Sequence, residues 1–421
     1  MTAPVSLERR MVAADLKRQL AHWLAAAKTF RNAEEFAAIE AWRAVERDIG
    51  LPLRKEMHRI VEGLIAEGET VESHICEIGS NVQALARATT AVQRFRRHYI
   101  QVDTTLDYLG DAINSRTSPV LRTALSTLDT LAVASMESVL KLSGKPVPRV
   151  LVYLDKGTGA SILRAGVRLW TPGAVMPVAA IKIVRHNLYR PTSLFHEVGH
   201  QVAHLTGWTE ATRAALASAL VGDKDLQAMW TPWASEIAAD TFAFLHTGFA
   251  SVAALYDVVS DRATIMRWPP GDPHPIGWLR TMLGCEMARL CFGAQGPWYA
   301  LQRAMVARFP AQLADGAVQP LLERSARAMS AIAHACIEAP VPALGGKPMT
   351  SVYSPSRVSP EALTDLERQG GASLWTSEHW RRAEGIRIVA LAGLREAERP
   401  EQASHWIERA RGWLNAEAKA A

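Results

Sequence analysis

The stretch Thr192-Ser-Leu-Phe-His196-Glu197-Val198-Gly199-His200-Gln-Val202-Ala-His204-Leu-Thr206 decides how this chain is read. Its apolar residues Leu194, Phe195, Val198, Val202 and Leu205 recur at helical spacing, which predicts an α-helix with one buried side. Residues four apart share a face of a helix, so His196 and His200 can aim both imidazoles at one metal ion. Glu197 lies one step round, where a carboxylate can take a proton from water held by that ion. Gly199 and Ala203 are small, which lets another helix or a further ligand come close. The competing reading is a surface helix carrying two solvated histidines.

Upstream, Pro177-Val-Ala-Ala-Ile-Lys-Ile-Val184 reads as a β-strand, and Thr192 or Ser193, after Pro191, as the helix N-cap. A strand feeding a buried helix suits a metal site better than a solvated face does. If Val178–Val184 forms a sheet edge, its backbone can pair with an extended peptide.

Two histidines do not complete a catalytic zinc site, which takes three protein ligands and leaves the fourth position to water. His204 would need a further turn of the same helix to bend inward, and reads better as packing or as support for a ligand. The longer pattern H-E-x-x-H-x-x-G-x-x-H fails, because Ala203 and Thr206 stand at its Gly and final His. The better third ligand lies in Trp233-Ala-Ser-Glu236-Ile-Ala-Ala-Asp240-Thr-Phe-Ala-Phe244. Two carboxylates four apart in so apolar a helix are costly to bury without partners. A metal for Glu236 and the N–H of a ligating imidazole for Asp240 would supply both. Two solvated acids on an amphipathic helix are the alternative.

H-E-x-x-H followed by E-x-x-x-D resembles the gluzincin metallopeptidases. Glu236-Ile-Ala-Ala239-Asp240 is similar to the E-x-x-A-D of their M48 group, and Asp272-Pro-His274-Pro275-Ile-Gly-Trp-Leu-Arg280 resembles that group's H-P-x-x-x-x-R. The likeness covers about residues 176–285 and implies that His196, His200 and Glu236 bind Zn2+. It further implies that Glu197 is the general base and that Asp240 orients His196. By the same likeness His274 would stabilise the oxyanion or contact substrate, and Arg280 would brace the site by pairing with an acid. From the mechanism itself, which needs a donor beside the metal, Tyr189 and Arg280 are weaker candidates than His274. The chain departs from those M48 branches in carrying no segment long and apolar enough to span a bilayer. The expected activity is that of a zinc metallopeptidase (a metalloendopeptidase) acting on a protein or peptide substrate. The alternatives are a zinc-containing binding or scaffold protein without turnover, and a dedicated regulatory or effector protease with one protein substrate.

The fold class expected is α+β and predominantly helical, with a gluzincin-type core in which a small sheet lies beside the H-E-x-x-H helix. The expected domains are an N-terminal helical bundle at 1–145, the zinc core at 146–308 and a C-terminal helical region at 309–421. Helix breaks are expected at Gly50-Leu-Pro52 and at Gly68, and a linker at Lys141–Pro148. Val150–Leu154 and Gly166–Trp170 read as strands. Asp155-Lys-Gly157-Thr-Gly159 between them lacks the G-K-[ST] of a phosphate loop and reads as a turn. A Pro/Gly/Ser-rich break spans Ala339–Pro360, and Gly385–Leu414 reads as helix–turn–helix around Arg399-Pro400.

The net charge of +5 comes from 47 basic and 42 acidic residues scattered together. The tight basic cluster Arg94-Phe-Arg96-Arg97-His98 reads as a solvated helix face, so no nucleic-acid partner is expected. Cys76, Cys285, Cys291 and Cys336 show no metal spacing and read as free, mostly buried thiols. The first ten residues lack the apolar core of a secretory signal, so a cytoplasmic location is expected, with export by a specialised system left open. Six tryptophans fall between 208 and 298 and read mostly as core, with Trp233 and Trp278 as candidates for a substrate pocket.

Overall fold

The structure is a computed structural model that describes residues 7–76, 82–157, 159–169, 173–268 and 271–416. Thr158, Trp170 and the side chain of Cys76 lie outside the described residues. Five helices come first: α1 (Leu7–Thr29), α2 (Ile39–Ile49), α3 (Pro52–Cys76), α4 (Val82–Asn114) and α5 (Pro119–Leu142). Strands β1 (Val150–Leu154), β2 (Ser161–Leu163) and β3 (Ala179–Ile183) follow. The next helices are α6 (Thr192–Thr206), α7 (Trp208–Ala219), α8 (Lys224–Trp230), α9 (Ala234–Thr247) and α10 (Phe249–Val259). The chain ends with α11 (Gly277–Phe292), α12 (Pro297–Arg308), α13 (Gln319–Ile337), α14 (Pro360–Gly370), α15 (Glu378–Glu398) and α16 (Ala403–Leu414). The protein is thus predominantly helical with one small sheet, as its periodicity predicts.

The chain divides into two compact units, one of residues 1–122 with 163–180, the other of 123–162 with 181–421. In the first, α1, α3 and α4 pack through Leu20, Leu24, Leu64 and Phe95, all buried. Gly50 ends α2 with φ 72°, a conformation that costs glycine little. Gly68 does not break its helix, contrary to expectation. A Cβ there would stand 2.7 Å from the Phe95 ring and 2.8 Å from Leu24, so this glycine serves close helix approach. Arg94, Arg96 and Arg97 are exposed on α4, as a solvated face requires.

The three strands form one sheet in the order β1-β3-β2. This corrects two expectations. Gly166–Leu169 carries only an isolated bridge, Arg168 to Val175, and the third strand is Ser161–Leu163 instead. With a neighbour on each side, β3 is no edge, so its backbone is spent within the sheet and does not offer itself to a peptide. The buried carboxylate of Asp129 on α5 accepts the Val152 N–H at 2.7 Å, pinning β1 to that helix.

In the second unit β3 leads through a short turn into α6. Pro191 occupies the N-cap position and no side chain caps the helix, so neither Thr192 nor Ser193 plays that part. Arg190 holds this entry instead, pairing with Asp257 on α10 at 2.8 Å and Glu396 on α15 at 3.2 Å. Helices α6 and α9 lie against each other at Gly199. A Cβ on Gly199 would meet the Ala239 Cα at 2.8 Å and the Phe242 Cβ at 2.9 Å, so only glycine permits this spacing. The small residue of the first motif thereby brings the acids of the second motif to the two histidines. The helix–turn–helix expected at 385–414 is present as α15 and α16. Among the described residues, no helix is long and apolar enough to cross a membrane.

Candidate metal centre

Three ligand atoms meet between α6 and α9. One atom each from His196, His200 and Glu236 lies within 4.8 Å of the others, forming a group that can hold a metal ion. His196 Nε2 is 3.4 Å from Glu236 Oε2, and His200 Nε2 is 3.3 Å from Glu236 Oε1. Ligands about 2.0–2.1 Å from a tetrahedral ion stand roughly 3.3–3.4 Å apart, and each imidazole meets one oxygen of the Glu236 carboxylate at about that spacing. The imidazole planes are nearly perpendicular, at 86°, as two ligands converging from one helix face require.

The other nitrogen of each ring is engaged. His196 Nδ1 donates to Asp240 Oδ1 at 2.8 Å, the part expected of Asp240. His200 Nδ1 lies 3.2 Å from the Ser235 hydroxyl, which sequence reasoning did not single out. Both partners engage Nδ1 and so leave Nε2 of each ring as the nitrogen turned toward Glu236. Arg280 on α11 donates to both Asp240 oxygens, through Nε and, at 2.8 Å, through Nη2. Its Nη2 also lies 3.5 Å from Glu236 Oε2 and 3.4 Å from either nitrogen of His196. Arg280 is therefore a brace, with Nε and Nη2 bonded to the acids of the site.

His204 is exposed and outside the ligand group. His274 stands at the rim, 59% exposed, with Nε2 3.9 Å from Glu236 Oε2. Asp272 holds it twice, accepting from its backbone N–H and from its Nδ1, each at 2.9 Å. Asp272 is a second residue that sequence reasoning missed. Tyr189 does not reach the site. It lines a small apolar cavity with Trp375, Ile388 and Trp413, and Arg411 lies 5.9 Å from its ring. Trp233 and Trp278 are buried, and the Trp278 N–H is bonded to the Phe309 carbonyl, so both are core. Cys285, Cys291 and Cys336 are free thiols on α11 and α13.

Burial and charge set the protonation of these groups. Burial alone would lower the His196 pKa, but the Asp240 charge and its hydrogen bond outweigh it and push the value up to about 10. His200, buried and close to a cationic His196, is held down to about 4. Burial would raise Glu236, yet its hydrogen bond to His196 and the Arg280 charge bring it to about 2. Asp240 falls below the usual carboxylate range, the Arg280 and His196 charges overcoming its burial. Glu197 moves the other way. Only 5% exposed, and with no side-chain hydrogen bond among the described residues, it is raised by burial to about 7.

These values have a consequence for metal affinity. A cation can take His196 Nε2 only by displacing its proton, whereas His200 is already neutral near pH 7. Affinity is therefore expected to rise about tenfold per pH unit between pH 6.5 and 8.5, with release of about one proton per ion. Competition against a zinc chelator at three pH values measures it, and a flat profile would contradict the assignment. Compared with family models, curated proteins and solved structures, the chain matches none of them.

Proposed function

We propose that this chain is a zinc-dependent metallopeptidase in which Glu197 is the general base. The observation that carries the reading is Glu197, a buried carboxylate next in the chain to His196, beside a three-ligand group built from two histidines and a glutamate. A two-nitrogen, one-oxygen donor set suits zinc, and a purely structural zinc has no use for a base at its side. Zinc, when bound, supplies a Lewis acid that lowers the pKa of a coordinated water towards about 7 and polarises the scissile carbonyl.

The chain's own residues do the rest. Glu197 takes the proton of the attacking water and passes it to the leaving amine, and its burial favours holding that proton between the two steps. His274, held by Asp272, stands at the rim beside Glu236, where it can contact the bound substrate. Asp240 and Ser235 hold the two imidazoles, and Arg280 offsets the charge of Asp240 so that the acids can be buried together. The test is cleavage of an unfolded protein by the full chain before and after metal removal. Cleavage should cease on chelation and return with one equivalent of zinc. Undiminished cleavage by the stripped chain would reject the proposal.

A further inference from the structure

The segment after α10 comes back to the first turn of α9 in two places. At one, the Trp268 ring stands edge-on to Trp233, with centroids 5.9 Å apart and planes at 73°. At the other, His274 approaches Glu236. Trp233 immediately precedes α9 and Glu236 is three residues on, so the two are neighbours along one side of that turn. Trp268 thus packs on the residue that stands one helical turn before a ligand, and it lies six residues before the rim histidine.

Its state differs from that of its neighbours. Trp208, Trp230, Trp233, Trp278 and Trp298 are all buried, whereas Trp268 is only half-buried. Its indole N–H has no hydrogen-bond partner among the described residues. The adjoining core is complete without it, since Trp233 is already enclosed and meets Trp230 edge-on. A half-open indole beside such a site offers an apolar face together with a free donor, the pairing that holds a peptide side chain and its backbone carbonyl.

Resting on the peptidase reading above, we propose that Trp268 receives an apolar side chain of the substrate next to the scissile bond. The substrate class is then peptides with a bulky apolar or aromatic residue at that position. Arg262 and Arg267 are exposed on the same segment and would favour an acidic residue instead, which the experiment separates.

The experiment uses the zinc-loaded full chain and peptides that differ at one position, Phe, Ala or Glu. Binding is measured by calorimetry on Glu197→Gln, and cleavage by mass spectrometry on the chain with Glu197 intact. With Trp268 present, the Phe peptide should be preferred over the Ala peptide by about tenfold or more, the scale of one apolar side chain in a pocket. Trp268→Ala should abolish that preference, chiefly through KM, and Trp268→Phe should restore most of it. Preference for the Phe peptide in binding without any cleavage would support the role of Trp268 while defeating the hydrolytic reading. Cleavage with the same preference in Trp268→Ala, or a preference for the Glu peptide, would overturn the role of Trp268 and leave the hydrolytic reading standing. Neither binding nor cleavage of any peptide would overturn both.

Discussion

Replacing Glu197 with Gln is expected to lower peptide cleavage by roughly a hundred- to ten-thousand-fold, the range that a positioned general base contributes. The zinc content should remain one per chain, because Glu197 is not among the three ligands. A second readout separates a lost base from a damaged fold. Glu197 is raised from about 4.5 to about 7 by burial, so its protonated form is the one the folded chain favours. The stability this contributes is full below pH 4.5 and is lost as pH rises through 7. Gln carries no such penalty, so zinc-stripped Glu197→Gln should resist urea better than the parent at pH 8 and differ little at pH 4. Equal cleavage by parent and variant would remove Glu197 from the mechanism.

The second large effect is expected at Glu236. Its carboxylate lies 3.3–3.4 Å from both ligating imidazole nitrogens, so Glu236→Ala should weaken zinc binding by more than roughly a hundredfold. Asp240→Ala removes only the orientation of His196 and should cost about 10–100-fold. The order of the two effects distinguishes a ligand from its support. The fold should survive Glu236→Ala, because Arg280 keeps its two hydrogen bonds to Asp240. Asp240→Ala, by contrast, leaves a buried guanidinium without its main partner and should also lower the melting temperature. Dialysis against a zinc buffer followed by elemental analysis gives the affinities. Full retention of metal by Glu236→Ala would return the third ligand to an open question.

Much of this site is written in local spacing. His196 and His200 share a helix face whatever surrounds them, and Glu236 and Asp240 do the same, so each half can be read from the sequence alone. Gly199 even signals the close helix pair that joins the halves. Ser235 and Asp272 are not legible in this way. Ser235 finds His200 only because α6 and α9 pack in one register, and Asp272 finds His274 through a turn between prolines. The sheet shows the same limit. Val150–Leu154 and Ala179–Ile183 are mostly buried and apolar, but Ser161–Leu163 is too short to show a period, so the central place of β3 could not be inferred. Gly68 misleads for a related reason. Its low helix propensity is overridden by packing against Phe95 and Leu24, which depends on contacts far along the chain.

The central claim is that one zinc ion is held by His196, His200 and Glu236. X-ray absorption at the zinc edge of the purified full chain tests it most directly. The account predicts one zinc per chain, with two imidazole nitrogens and oxygen donors about 2.0–2.2 Å away. Sulfur scattering near about 2.3 Å, or a chain that takes up no zinc, would contradict it.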